Sequence, residues 1–469
     1  MIREFINRKG ELEFLEERHK NKKFEFFVIY GRRRVGKTEL IKHFIRNKLH
    51  IYLLCDKSGT KKNVYRFKKK VSEFLGEPII ATNDLEEVFS YLIKRAGKKV
   101  IVVFDEFSYL AEKDPAVPSL FQVVCDELLK NKDIFLILCG SSISMMEKGV
   151  LSSKSPLYGR KTAHIKLTPI HFKHFNKFFP LNSLEKNIEF YSILDGIPSY
   201  LETFSDKKAT LENIKEQIWS KEGRLYEEID FLLREELREP DVYKTILDAI
   251  ASGKTKVVEI ANKSGIKVQD LDKYLKVLIK LGIIKKEIPL TEVKSKKSLY
   301  SIKDNLFNFC FLFSEPYKSD LEIRELKNAE EKFKKGFDSF IGRKFEGLIK
   351  REVLKKAGIM QIQKAGRQWG KFKGEKGKNT YEIDLVALND NTKDILFCEC
   401  KWQEKIDAEK IIKELMEKSG HVSWHNEERK EHFAVFAKSF KKKIKKFENK
   451  KVHCFDLKDI GKILRKKGQ

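Results

Sequence analysis

The octapeptide Gly31-Arg32-Arg33-Arg34-Val35-Gly36-Lys37-Thr38 constrains this chain more than any other stretch of it. It satisfies G-x-x-x-x-G-K-[ST] in the setting that pattern requires: a strand-like run from Phe24 to Tyr30 precedes it, and helical spacing follows Lys37. Glycines let successive backbone N–H groups wrap phosphate oxygens, and the helix start adds its positive end. Lys37 is placed to reach the β- and γ-phosphates, and Thr38 to ligate Mg²⁺. ATP and Mg²⁺ are therefore the expected cofactors, with the octapeptide as the cradle. A second apolar run, "KVIVVFDE", ends in adjacent acids. There Asp105 would complete the Mg²⁺ shell and Glu106 would polarise the attacking water. A third run, "DIFLILCGSS", delivers Ser141 and Ser142 to the same sheet edge, where a hydroxyl can sense the γ-phosphate or simply form a turn.

A chain of 469 residues has room for about three domains at roughly 150 residues each. Charged residues make up 35% of it, against about 25% in ordinary domains. The formal charge of +27 favours a polyanionic partner, nucleic acid ahead of anionic membrane, unless the lysines form only a solvated surface. No apolar run approaches the roughly 18 residues of a membrane span, and no signal-like segment opens the chain, so a cytoplasmic protein is expected. Seven scattered cysteines without a framework spacing read as reduced thiols.

Over roughly its first 230 residues the chain resembles the archaeal ATPases of the AAA+/STAND group of P-loop NTPases. Besides the two Walker motifs, "FINRKGELEFL" is similar to the element that precedes the nucleotide strand and seats adenine and ribose through positions matching Asn7, Arg8 and Glu11. "SPLYGRKT" carries Arg160, which resembles the arginine that group places near the γ-phosphate, in cis or from a neighbour, so an oligomer through Arg160 is implied. "LDGIPSYL" carries Pro198 in a G-x-P element similar to one that lies against the base. Sheet order 5-1-4-3-2 is what the resemblance implies. The ATPase core is expected at 1–170 and its helical lid at 171–237.

From 238 to 303 three amphipathic helical pieces and two short runs joined by the basic tip "KSKKS" read as a winged helix-turn-helix. On the third helix, Gln269, Lys273, Lys276 and Lys280 suit DNA, whereas Asp270 and Asp272 cut the other way and leave protein packing open. A helical connector is expected at 304–335.

The last segment, 336–469, opens with an amphipathic helix whose core side is Phe337, Ile341, Phe345, Leu348 and Leu354. Glu346 lies at the edge of that stripe, where a carboxylate either meets a cation or snorkels to water. A basic Gly-rich loop then leads to "YEIDLVALNDNTKDILFCECKW", two apolar runs around a turn at Asn389-Asp390-Asn391. Strand alternation puts Glu399 and Lys401 on one face and Cys398 and Cys400 on the other. Asp384, Glu399 and Glu346 are thus candidate ligands of a hard divalent ion, with Lys401 as the catalytic lysine. The D…E-x-K constellation resembles the core of restriction-endonuclease-like nucleases, over roughly the last 130 residues, with Ile383 where a proline is usual. The fold class expected is α/β throughout: P-loop NTPase with parallel sheet and lid, winged helix, and nuclease-like domain. The function expected is an ATP-hydrolysing DNA-binding protein whose nucleotide state controls a metal-dependent nuclease-like site. A nucleotide-dependent switch or scaffold that binds without cutting is the alternative. The tail from Lys438 holds 13 Lys and Arg against 3 acids and suits phosphate contacts or a solvated surface.

Overall fold

The computed structural model describes residues 5–292, 297–372 and 380–466. Two compact units result: Met1–Ile170 with Ile197–Ser199, and His171–Gly196 with Tyr200–Gln469. The first is built on five strands, β1 (Glu25–Tyr30), β2 (His50–Leu54), β3 (Val100–Asp105), β4 (Ile134–Gly140) and β5 (Ala163–Lys166). All pairings are parallel, in the order β2-β3-β4-β1-β5, which is the order 5-1-4-3-2 read from the other edge. Continuous apolar runs suit such a sheet because helices cover both faces. Phe26, Val28, Val102 and Phe104 join the core on one face, and Phe27, Ile29, Ile101 and Val103 that on the other.

In the second unit, the helices Pro240–Ala251, Val257–Ser264 and Val268–Lys280 precede an antiparallel pair, β6 (Ile284–Glu287) and β7 (Leu299–Ile302). Gly265 takes φ 71° at the end of the second helix, and Leu271, Leu275 and Leu278 bury the third. The basic tip lies largely outside the described residues, as does most of the Gly-rich loop. The segment after β6 docks on the C-terminal sheet: Leu290 N donates to Arg367 O at 3.1 Å, and Thr291 N to Gln368 Oε1 at 3.2 Å. The helix Lys327–Leu348 runs through the expected boundary at 335 without a break.

The C-terminal sheet comprises β8 (Lys364–Lys371), β9 (Thr380–Asn389), β10 (Asp394–Lys401), β12 (Lys430–Ala437), β14 (Lys446–Phe447) and β15 (Lys450–Phe455). Short β11 (Ile406–Asp407) and β13 (Phe440–Lys442) pair separately. The order is β14-β15-β12-β10-β9-β8, with β8, β9 and β10 an antiparallel meander and β12 parallel to both β10 and β15. The helix Ala408–Gly420 makes the crossover from β10 to β12, burying Ile412 and Leu415 against Ile395 and Phe397. All seven cysteines are free. Among the described residues no helix is long and apolar enough to cross a membrane.

Candidate functional sites: a phosphate loop and a carboxylate–lysine cluster

The phosphate loop leaves β1 at Gly31, whose φ of +153° and proximity to Leu167 exclude a side chain: a Cβ there would lie 2.4 Å from the Leu167 carbonyl oxygen. Arg34 (φ 66°) and Gly36 (φ 93°) complete the turn into the helix Lys37–Ile45. Lys37 is buried, and its Nζ donates to the carbonyls of Gly31 (2.9 Å) and Arg32 (3.0 Å), the internal acceptors available to it without phosphate. Burial lowers its pKa, with the nearby Asp105 and Glu106 opposing. Thr38 Oγ1 donates to Asp105 Oδ2 at 2.7 Å, and the Tyr52 hydroxyl donates to the same oxygen at 2.6 Å. Hard oxygen donors from a helix start and a strand end therefore converge, a donor set that fits Mg²⁺.

Glu106 follows at φ 55°, a strained value for a non-glycine residue at a strand end. Ser141 Oγ donates to Glu106 Oε1 at 2.5 Å, and Ser141 N to Oε2 at 3.2 Å. Ser141, the expected γ-phosphate sensor, thus bonds the glutamate through both its hydroxyl and its backbone N–H. Arg8, 4% exposed, braces the loop from behind, donating to Val35 O (3.1 Å), Thr168 O (2.7 Å) and Glu11 Oε1 (3.1 Å). Arg33 donates to the Tyr109 hydroxyl at 3.0 Å. Pro198 Cγ would lie 3.8 Å from a Cβ at Gly36, which brings the G-x-P element onto the phosphate loop. Arg160 is engaged elsewhere on the first unit, its Nε donating to both Asp126 oxygens at 2.8 and 3.0 Å.

The second site forms where β9 departs from regular pleating. Between the pairs Gly366–Val386 and Gln368–Ile383, β8 advances two residues and β9 three. The register of β9 with β10 is unshifted to its last pair, Leu385–Cys398, and one step further along it Asp384 stands opposite Glu399, at the point where β9 bulges against β8. Asp384 Oδ2 accepts from Cys400 N at 2.9 Å and from Lys401 Nζ at 3.3 Å, and Lys401 also bonds Glu399. Glu399, 2% exposed, accepts a further bond from Lys418 Nζ at 2.7 Å. Burial, then the Asp384 charge, pushes the Glu399 pKa up. Hydrogen bonds and Lys401 outweigh burial at Asp384, whose pKa falls. Lys401, between two acids, is raised. Glu346 is pushed up to about 8 by burial and by the Asp384 carboxylate, which puts it within electrostatic reach of the pair.

Among the described residues no three His, Cys, Asp or Glu side chains are drawn together tightly enough to hold a metal ion. The expected trio Glu346, Asp384 and Glu399 is therefore a two-acid centre spanned by ammonium groups, with Glu346 outside the hydrogen-bonded set. The chemistry of the remaining pair still fits a hard cation of the Mg²⁺ kind, which takes one or two carboxylates: Asp384 and Glu399 present theirs to one point, Lys401 Nζ. Sequence reasoning missed Lys418. Its signal was its place on the crossover helix three residues after buried Leu415, visible only once that helix is laid on the sheet.

The sheet-and-loop geometry has relatives. Residues 5–204 match the family described as an ATPase domain predominantly from Archaea, and residues 310–412 one described as archaeal and bacterial proteins of unknown function. The chain is similar to an uncharacterized protein of Methanocaldococcus jannaschii, 40% identical over 466 residues that cover 97% of this chain and 100% of that protein. A 44-residue stretch is 59% identical to an uncharacterized ATP-binding protein of the same organism, covering 9% of this chain and 75% of that one. Among solved structures, the Walker-type ATPase of Pyrococcus abyssi aligns with a TM-score of 0.50 at 23% identity, covering 66% of this chain and 96% of that one, a likeness of fold.

Proposed function

The chain belongs to one family with the Methanocaldococcus jannaschii protein that it matches end to end, and carries an archaeal ATPase domain; from that premise we propose that it hydrolyses ATP to control a metal-dependent, DNA-cleaving site in its C-terminal domain. One observation carries the second half: Asp384, opposite buried Glu399 across β9 and β10, shares Lys401 with it.

In the ATPase unit, Lys37 would exchange the carbonyls of Gly31 and Arg32 for phosphate oxygens, and Thr38 and Asp105 would hold Mg²⁺ between them. Glu106, released by Ser141, would orient the attacking water and take its proton. Arg32, Arg33, Arg34 and Val35 supply the loop's backbone donors. Arg160 is proposed to serve a neighbour's nucleotide, which requires oligomers. In the C-terminal domain, Asp384 and Glu399 would hold a divalent ion, with Glu346 joining when deprotonated. That ion supplies Lewis-acid polarisation of the scissile phosphate and an acidified water. Lys401 would steady the charge that develops on the phosphate. The excess of positive charge supports DNA as partner.

A second reading, a nucleotide-dependent scaffold, is favoured by the third helix of the 238–303 segment. Two of its lysines are paired with its own acids, Lys276 with Asp272 at 2.6 Å and Lys273 with Asp270 at 3.6 Å. Calorimetric Mn²⁺ titration without nucleotide separates the two. Binding that disappears in Asp384→Ala supports the enzyme, and no Asp384-dependent binding supports the scaffold.

A further inference from the structure

Both oxygens of Glu399 carry an ammonium group. Lys401 takes Oε2 and spans to Asp384, while Lys418 takes Oε1 from the crossover helix. Buried Glu399, half-buried Asp384 and two lysines make a set of zero net charge, which is how a strand end tolerates the acids away from water. A divalent ion seated on Asp384 and Glu399 needs lone pairs that these ammonium groups now occupy. One lysine must yield, and the two are not equivalent. Lys401 stands two residues from Glu399 on the same strand and is bonded to both acids. Lys418 lies in the last turn of the helix Ala408–Gly420 and bonds Glu399 from outside the sheet; the two lysines are equally half-exposed, so their attachment, strand against helix end, is what separates them. Its long side chain can swing into water without disturbing the sheet.

We propose that Lys418 is the resident counter-ion of this site: it holds Glu399 in its orientation, and gives way when a divalent cation arrives. It is a positioning residue, since it acts through Glu399. Its bond to Glu399 also means that the two acids are neutralised by the chain's own lysines. The inference rests on the proposed metal role of Asp384 and Glu399.

The test is calorimetric titration of the full-length, nucleotide-free protein with MnCl₂. Lys418→Met should bind Mn²⁺ about tenfold more tightly than wild type, because a competing charge at contact distance is gone. Lys418→Gln, which keeps a hydrogen bond to Glu399 without the charge, should behave likewise and stands in if the Met variant fails to fold. Lys418→Arg should match wild type. Adding Asp384→Ala should abolish the gain in every background. Asp384-dependent binding that is equal or weaker in both uncharged variants overturns the role of Lys418 alone. Absence of Asp384-dependent binding in every protein overturns the metal-site reading with it.

Discussion

Glu346 is the residue whose state is most sensitive to conditions. Burial and Asp384 push its pKa from 4.5 to about 8, Glu382 adds to the rise, and Arg367 and Lys285 oppose it. Between those values the folded, metal-free protein keeps a proton that the unfolded chain has released. The stability this group contributes is therefore complete below about pH 4.5 and is lost as pH rises through about 8. Chelator-treated wild type should lose urea resistance relative to Glu346→Gln between about pH 5 and about pH 8.5. All four tryptophans, Trp219, Trp369, Trp402 and Trp424, lie in the second unit, so their fluorescence reports its unfolding. Parallel pH curves for the two proteins would contradict the assignment. At this scale the phosphate loop was legible because each of its residues answers to a local rule of glycine, lysine or hydroxyl. The roles of Ser141 and Lys418 were not, since each is defined by one bond to a residue far along the chain, Glu106 and Glu399 respectively.

At the scale of elements, strand alternation correctly set Glu399 and Lys401 together and Cys398 and Cys400 apart, because β10 is regular. Counted back along β9 from Val386 and Leu388, which share a core with Phe397, the same rule puts Asp384 with Glu399; what it could not show is the extra residue of β9 against β8, which only the pairing of those two strands fixes. Nor could apolar periodicity show that the segment following β6 adds to the C-terminal sheet. That dock depends on Gln368, 2% exposed, whose Oε1 accepts from Thr291 N and whose Nε2 donates to the Tyr381 hydroxyl at 3.2 Å. Gln368→Ala leaves the half-buried Thr291 N–H without its acceptor and should cost about 1 kcal/mol. Hydrogen exchange should then accelerate at Leu290 and Thr291 while the amides of the helix Val268–Lys280 keep their wild-type rates. Unchanged exchange at Thr291 would show that the dock does not need Gln368.

At the scale of the whole molecule, the sequence announced the parallel sheet and its strand order through the motifs of the ATPase group, and the order of pairing agrees. The division into units was less legible. Residues 171–196, read as the lid of the ATPase, form part of the second unit, while Ile197–Ser199 belong with the phosphate loop. Helical spacing carries no label for the partner a helix will pack on. Charge is a property of this scale as well. With +27 to neutralise, DNA binding should be counter-ion driven and weaken at least about tenfold between roughly 50 and 200 mM salt. Salt-independent binding would mean that the lysines are only solvated.

The central claim is that one chain joins an ATPase to a site that cuts DNA. A cleavage assay on single- and double-stranded DNA with Mg²⁺ or Mn²⁺, with and without ATP, tests it most directly. Wild type should nick or shorten DNA, Asp384→Ala should leave it intact, and cleavage by Lys37→Ala should no longer respond to ATP. Intact DNA from wild type under every condition, or equal cleavage by Asp384→Ala, would contradict that claim.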